Sequence, residues 1–414
     1  MNSASIDHWA GLRQHAWLRQ PRRAEGAVAQ LVAEPAGAQE LAALVGYCQQ
    51  HGLSVAALGA CRTLGCLRAA PVAVGIALSR MARVVAYEPD DLTVTVQPGI
   101  TMAALDEVLA SRRQYLPLDP PQPAQTTLGA VLATARTGPL RLSAGTPRDY
   151  VLGIEFVGHG GRLVRAGGRV VKNVAGYDIM KLMVGAYGSL GIISEVTLKI
   201  RPRPAAQALV LLSAPGAQEL CELGFALHDR LPLLYLDLLS PRAELAEAPR
   251  QGYGLIAGLG GNGAEIDAQL ASVRELAPKA RIWQDNEAAR LYRALVNLAL
   301  PKVSIELLVA VPPRLLPECL HSDGVEFRAH LGSGVAQVAL VGEGPSAIAA
   351  ATRLRARVAQ AGGHARVLQI SRELRSQVPF FDLPAPGAMA LMARLKRAFD
   401  PAAIFNPGCF VGGL

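Results

Sequence analysis

The sequence predicts an α+β fold in two parts, and three observations lead there. Strand-like and helix-like segments alternate along the 414 residues. Hydrophobic residues make up 51% of the chain, enough for a large core. The texture changes at "RPRP" (201–204), where a glycine-dense first half gives way to a more regular second half. The length suits two or three domains. The 41 glycines and 28 prolines punctuate the chain without a repeat period.

Each element follows from local pattern. Residues 1–27 are polar and read as a helical extension. In "EPAGAQELAALVGYCQQHG" (34–52), Leu41, Leu44, Val45 and Cys48 share one helix face, and Gly52 ends it. Residues 53–59 and 71–78 read as buried strands. Residues 83–99 read as strand, Pro-Asp-Asp turn, strand. A helix over 100–112 is expected to pack Leu105, Val108 and Leu109. The Pro-rich stretch 116–153 is irregular except for a short apolar helix at 128–135, and long ordered loops usually carry function. A hairpin at 153–168 turns at His159-Gly160-Gly161, and a short helix in 177–188 leads to a strand at 191–200. Beyond 205, strands are expected at 207–213, 233–239, 253–259, 303–311, 335–342 and 365–370. Helices are expected at 217–229, 263–277, 286–299 and 345–361, which implies an open sheet covered on one side. The end, 386–414, reads as a helix and a Pro- and Gly-rich tail that needs a partner surface to be ordered.

Charge and cysteines exclude several classes. The net charge is +8, but the basic residues are dispersed, as in Arg22-Arg23, Arg112-Arg113 and Arg201/Arg203. Arg353, Arg355 and Arg357 spread around a helix and read as a solvated face. Aromatics are 5%, so no basic stripe with stacking platforms is present, and nucleic acid is not the expected partner. The balance suits small anions or an acidic surface. The six cysteines form no CxxC pair and lack the spacing of a cluster site. The eight histidines are scattered, so no metal site is readable. No secretory leader and no stretch of about 18 apolar residues is seen, so a cytoplasmic location without a membrane span is expected.

Three segments invite a ligand. "LGACRTLGC" (58–66) follows a strand and holds Gly59 and Gly65; it reads as an ordinary turn or as a loop whose N–H groups face a phosphate. The stretch 124–153 adds hydroxyls at Thr126 and Thr127, Arg141, and glycines at 129, 138 and 145, which suit a diphosphate or a plain surface loop. "VVKNVAGYDIMKLMVGAYGSLGIISEV" (170–196) spends glycines at 176, 185, 188 and 191 among apolar residues. Glycine is used where φ is positive or where something approaches the backbone closely.

Taken in order, "YEPDDLTVTVQPGITMAALDEVL", "TTLGAVLA", "GTPRDYVLGIEFV", "KNVAGYDIMKLMVGAYGSLGIISEVTLKI" and "FDPAAIFNPGCF" resemble the vanillyl-alcohol-oxidase and p-cresol-methylhydroxylase type of FAD-binding fold. The resemblance is nearest to the FAD-binding E subunits of bacterial glycolate oxidase. It covers residues 28–205 and the last 30 well, and the middle loosely. It implies a two-lobed FAD-binding domain over 28–205, a smaller α+β cap domain over 206–385, and a segment 386–414 that packs back on the FAD domain. It implies that Gly59, Ala60, Cys61, Arg62, Thr63 and Gly65 hold the pyrophosphate. Thr126, Thr127 and Gly129, with Gly145 nearby, would meet the diphosphate and ribityl chain. Gly188, Gly191 and Ile192 would offer main chain near the adenine end, so that these glycines admit a flat cofactor. Tyr177 and Leu182 would be packing residues, and Asp178 a helix cap. The chain departs from the family pattern at Ala60-Cys61-Arg62-Thr63, at Ala130 and at Cys409.

Oxidation of a 2-hydroxy acid by a flavin needs a base for the hydroxyl proton and a cation for the carboxylate. "QAGGHARVLQI" offers His364 as the catalytic base, with Arg366 beside it; the alternative is a structural histidine. Asn406 in "FNPG" reaches the flavin edge or forms a turn. The resemblance implies a subunit of a glycolate oxidase (D-2-hydroxy acid dehydrogenase) complex. Its partners would be a paralogous FAD-binding subunit and an iron–sulfur subunit, which would place it at the inner membrane face. Two other readings stay open: a stand-alone FAD oxidoreductase, and a non-catalytic scaffold.

Overall fold

The computed structural model describes residues 11–23, 25–59, 71–168, 178–243, 245, 252–321 and 324–414. The first half forms two lobes. In the first, strands β1 (Trp17–Arg19), β2 (Ala29–Glu34), β3 (Val55–Leu58) and β4 (Val72–Ala77) line up in the order β1-β2-β4-β3. β2, β4 and β3 run parallel, and β1 is antiparallel at the edge. Helix α1 (Ala38–Gln50) buries Leu41, Leu44, Val45 and Cys48, the face its periodicity marks. The expectation of a helical extension over 1–27 is corrected at 17–19, which join the sheet. Arg19 holds that strand, with Glu25 and Glu34 each at 2.6 Å, and Leu12 is fully buried in the same lobe.

The second lobe is an antiparallel sheet of β5 (Val84–Glu88), β6 (Thr93–Val96), β8 (Val151–Val157), β9 (Leu163–Gly167) and β10 (Ile192–Lys199), in the order β5-β6-β10-β8-β9. A short pair, β7 (Gln114–Tyr115) with β11 (Arg201–Pro202), closes its margin. Helix α2 (Met102–Ala110) is capped by Thr101, whose side chain accepts from the Ala104 amide. Its buried face is Met102, Leu105 and Leu109. Val108, expected inside, is 36% exposed because it falls off the i, i+3, i+7 stripe. Helix α3 (Leu128–Thr134) starts at Thr127, which accepts from the Ala130 amide. Asp178 sits at the N-terminus of a one-turn helix, Ile179–Met183, but pairs with Lys181 at 2.9 Å and makes no capping bond. Leu182, expected to pack, is 37% exposed. Tyr177, Lys172 and Asn173 lie outside the described residues.

The second half holds one eight-stranded sheet. Its strands are β12 (Ala206–Ala214), β13 (Tyr235–Leu239), β14 (Tyr253–Gly261), β15 (Arg281–Gln284), β16 (Ile305–Ala310), β17 (Val325–His330), β18 (Val335–Leu340) and β19 (His364–Ile370). They pair in the order β15-β12-β14-β13-β17-β18-β16-β19. Helices α4 (Ala217–Arg230), α5 (Gly263–Leu276) and α7 (Gly344–Gln360) cover one face, while α6 (Asp285–Val296) lies on the other. In β12 the alternation is plain. Ala208, Val210 and Leu212 face the three helices; Leu209 and Leu211 join the core of the second lobe. Sequence placed the sheet as covered on one side only. Both faces are covered, because the β12–β14 half packs its second face against the lobe. Sequence also missed β15 and β17. Arg355 is no free surface charge: it reaches Asp382 at 2.6 Å and the Pro379 carbonyl at 2.7 Å.

The last segment lies on the first half. Helix α8 (Pro386–Phe399) carries Lys396, whose ammonium donates to the carbonyls of Ser189 (2.8 Å) and Phe405 (2.9 Å) and to Asp400 (2.6 Å). Phe405 pairs with Val55 at the free edge of β3, and Ile404 and Phe405 are buried in the first lobe. Asn406, at φ +43, donates to the Tyr187 carbonyl at 2.6 Å.

Candidate functional site

A cleft of about 500 Å³ lies between the two lobes. Leu58, Gly59 and Ala77 line it from the first lobe; Ile100, Thr126, Thr127, Gly129, Val131, Met183, Gly188, Gly191 and Ile192 line it from the second. The wall is mostly apolar with hydroxyls and main chain at intervals, which suits a long flat group with polar edges.

Seven of the sequence-proposed residues therefore meet around one cleft: Gly59 from the first lobe and Thr126, Thr127, Gly129, Gly188, Gly191 and Ile192 from the second. Gly145 and Asn406 do not line the cleft; Asn406 acts behind it through the Tyr187 carbonyl. Ala60, Cys61, Arg62, Thr63 and Gly65 lie outside the described residues.

The reason for each small residue differs from the simple expectation that glycine admits the ligand. A Cβ on Gly129 would sit 2.9 Å from the Pro98 Cβ and 3.0 Å from its carbonyl oxygen, so the protein itself requires glycine there. Gly188, at φ +68, has nothing within 4 Å of where a Cβ would stand, and leaves the backbone open. The hydroxyls are also partly committed. Thr126 donates to the Pro121 carbonyl at 2.8 Å, and Thr127 accepts from Ala130. The amides of Leu128 and Gly129 go to Ile100 and Pro98. The Thr126–Gly129 turn thus offers shape and the Thr127 O–H more than a row of idle N–H groups.

Among the described residues, one buried polar atom near the cleft has no partner. The Tyr187 hydroxyl is buried without a hydrogen bond, and Tyr187 is only 5% exposed. An orphaned buried hydroxyl is costly unless a ligand meets it. The open main chain at Gly188, the Thr127 hydroxyl and the apolar walls fit a flavin nucleotide.

Residues 29–167 match the FAD binding domain family, and residues 383–409 match the C-terminal domain of FAD linked oxidases. The chain thus carries segments similar to two domains of FAD-linked oxidases. FAD is the cofactor of these domains. Over 124 residues the chain is 41% identical to glycolate oxidase subunit GlcE of Escherichia coli, covering 30% of this chain and 35% of that one. It is 31% identical to glycolate oxidase subunit GlcD of Bacillus subtilis, over 44% of this chain and 38% of the other. The matched segment thus spans little more than a third of either subunit. A D-lactate dehydrogenase of Archaeoglobus fulgidus matches at 27% identity over 94% of this chain and 92% of its own. An alkyldihydroxyacetonephosphate synthase structure shares the fold, with a TM-score of 0.71 at 16% identity over 98% of this chain and 86% of its own.

The protein has a second cavity, of about 380 Å³, and Arg136 lines both. Its floor is the cap sheet. Register places Arg328, Gln337, Leu308 and Arg366 side by side on β17, β18, β16 and β19, with His330 two residues along from Arg328. These positions alternate with Phe327, Ala329, Val338, Leu307, Val309, Ala365 and Val367, which face the helices.

Asp237, fully buried on β13, organises one end. One oxygen lies 2.7 Å from His330 Nδ1, and the other accepts from Arg328 Nε at 2.9 Å. Burial alone would raise the Asp237 carboxyl, but His330 and Arg328 outweigh it and hold it below the usual carboxylate range. With Nδ1 turned to Asp237, Nε2 is the nitrogen left to exchange a proton with a ligand. At the other end, Arg366 donates to the Thr134 carbonyl at 3.2 Å. Loss of water, with Arg136 and Arg141 near it, lowers its guanidinium to about 10. Asp119 lies opposite. It accepts from Tyr292 (2.6 Å), Leu140 (2.9 Å) and Gly138 (3.1 Å), yet desolvation carries it up to about 6.

His364, the base expected from sequence, stands apart from both cavities. It is exposed at the first position of β19, opposite Ala310, and lines neither cavity. His330 was missed. The available signal was alternation in "VEFRAH", whose polar positions face a cavity.

Proposed function

We propose that this chain oxidises a small 2-hydroxy acid to the 2-oxo acid, as an FAD-bearing subunit of a glycolate-oxidase type of complex, with glycolate as its substrate and glyoxylate as product. The observation that carries the reading is the adjacency at Arg136, which lines both the lobe cleft and a cavity lined by Arg366 and by His330, the latter backed by buried Asp237. The lobe cleft would hold FAD, which would supply the two-electron (hydride) acceptor for the carbon that bears the hydroxyl. His330 Nε2 takes the hydroxyl proton, and Asp237 orients the ring and stabilises its charged form. Arg366 and Arg136 hold the carboxylate. Gln337 and Leu308 form the floor between the two functions. The balance is two electrons and one proton to the cofactor and one proton to His330.

The names of the relatives support a role within an assembly, and we assign a paralogous flavoprotein subunit and an iron–sulfur subunit as partners. The complex would work at the cytoplasmic face of the inner membrane; among the described residues, no helix is long and apolar enough to cross it. A stand-alone dehydrogenase is the second reading. It is favoured by the end-to-end match to a D-lactate dehydrogenase and by a cap cavity that already holds base and cation.

Dye reduction by the FAD-loaded chain with glycolate and with D-lactate, alone and with co-expressed partner subunits, decides between them. Turnover restricted to the assembly supports the subunit; robust turnover by the lone chain supports the second reading. In whichever preparation is active, His330→Asn is expected to lower kcat by about 10²–10⁴-fold while FAD stays bound. Full activity in that variant would remove the proposed base.

A further inference from the structure

The floor of the second cavity carries an acid that the proposed chemistry does not use. Strand β16 alternates: Ile305, Leu307 and Val309 face the helices of the cap, while Glu306 and Leu308 face the cavity. Glu306 stands opposite Gln369 of β19 and two residues from Leu308, which pairs with Arg366. Its Oε1 accepts from the side-chain amide of Gln337. Its Oε2 has no hydrogen-bond partner among the described residues, yet it is not shut away from water; with Glu306 lining the cavity, that oxygen faces it. Burial raises the Glu306 carboxyl, while the Gln337 bond and the charge of Arg136 act the other way and favour the carboxylate. The neighbouring acids are committed elsewhere. Asp119 accepts from Tyr292, Leu140 and Gly138, and Asp237, behind the wall, serves His330 and Arg328. Glu306 thus puts a negative charge on the same floor as Arg366 and within the field of Arg136.

A cavity of about 380 Å³ has room for an acid much longer than glycolate, so volume alone does not exclude one with a second carboxylate. We propose that Glu306 is a specificity-determining residue: its carboxylate restricts the site to 2-hydroxy acids with one carboxylate and turns away 2-hydroxy dicarboxylates. Arg366 and Arg136 accept the first carboxylate. A second one, on the same small molecule, is brought within reach of Glu306 in a space with little water, where like charges repel strongly. Selectivity of this kind needs a repulsive element as well as an attractive one. Of the other basic side chains lining the cavity, Arg328 and His330 are turned to Asp237. Lys302, exposed in the loop before β16, is the cation left to favour a second carboxylate. The inference rests on the acid site proposed above.

The probes are 2-oxovalerate and 2-oxoglutarate, which are equal in length and differ by the second carboxylate. Neither carries a hydroxyl for a flavin to oxidise, so binding to the FAD-loaded protein is read without turnover, by calorimetry and by the shift in flavin absorbance. Wild type is expected to bind the monoacid at least about tenfold more tightly. Glu306→Gln keeps the oxygen that accepts from Gln337 and removes the charge. It is expected to tighten 2-oxoglutarate about tenfold more than it tightens 2-oxovalerate. Glu306→Asp keeps the charge and is expected to keep the preference. Equal affinity of wild type for the two acids would show that Lys302 outweighs Glu306 and would overturn the proposal. An unchanged ratio in the Gln variant, or the same loss of preference in the Asp variant, would overturn it while leaving the acid site in place. A Gln variant that does not fold would make the charge structural and would likewise overturn it. Wild type that binds neither acid would remove the acid site itself, and the inference with it.

Discussion

The FAD lobes and the cap build their sites in opposite ways. The lobes use main chain and small residues clustered in short runs: Thr126–Gly129 within four positions, Gly188–Ile192 within five. The cap uses side chains that project from one face of a sheet. Its participants, Asp237, Arg328, His330 and Arg366, come together only through the strand order β13-β17-β18-β16-β19. A backbone site must keep local conformation, so it marks the sequence with glycine and turn residues. A side-chain site on a sheet needs only the right residue at the right register, and its sequence looks like any alternating strand. The two sites therefore respond differently to change.

The largest expected effect lies in the segment that ties the lobes together. Lys396→Met removes three hydrogen bonds and leaves the fully buried Asp400 without its cation. Removing one partner of a buried pair costs about 3–5 kcal/mol. A fall in melting temperature of several degrees, together with weaker FAD retention, is expected by thermal shift and flavin release. An unchanged melting temperature would show that the tail does not support the lobes.

A smaller effect separates the halves by pH. Asp119 belongs to the loop of the FAD half but bonds Tyr292 of the cap helix. Its folded value, about 6, lies above the ordinary carboxylate range. The folded state therefore keeps a proton that the unfolded chain releases between pH 4 and 6. Stability is fullest below that window, falls as pH rises through it, and levels above it. Against an Asp119→Asn variant, the wild type is expected to lose on the order of 2 kcal/mol between pH 4 and 7. Parallel melting curves at all pH values would show that Asp119 ionises normally. The smallest expected effect is His364→Ala, which should change turnover by less than about twofold, because an exposed side chain off both cavities touches no reacting group. A large loss would move the active site to the start of β19.

Much of the fold was legible. The period-3.6 stripe of α1, the Pro-Asp-Asp hairpin between β5 and β6, and most of the cap strands and helices follow from alternation and breakers. The lining of the lobe cleft was legible too, since seven of its residues lie in runs that announce themselves by glycine and threonine. β17 was not. In "VEFRAH" the polar positions Arg328 and His330 are buried because they face a cavity and Asp237, whereas alternation alone would send them to solvent. Asp237 was hidden for the same reason: a lone acid within "LLYLDLLS" gives no sign of the two cations that meet it. His364 drew attention through its Gly-Gly turn, but the turn places it at the strand's exposed start, two residues short of Arg366.

The pairing of Val55 with Phe405 has a consequence for biosynthesis. The edge strand of the first lobe must wait for a partner encoded about 350 positions later. At the usual 5–20 residues per second, the ribosome leaves that edge open for roughly 20–70 s. During the interval β3 presents an unpaired strand, and the lobe whose next residue, Gly59, lines the cleft is unfinished. Until that tail arrives, the open edge is the place where another strand could pair with the nascent lobe.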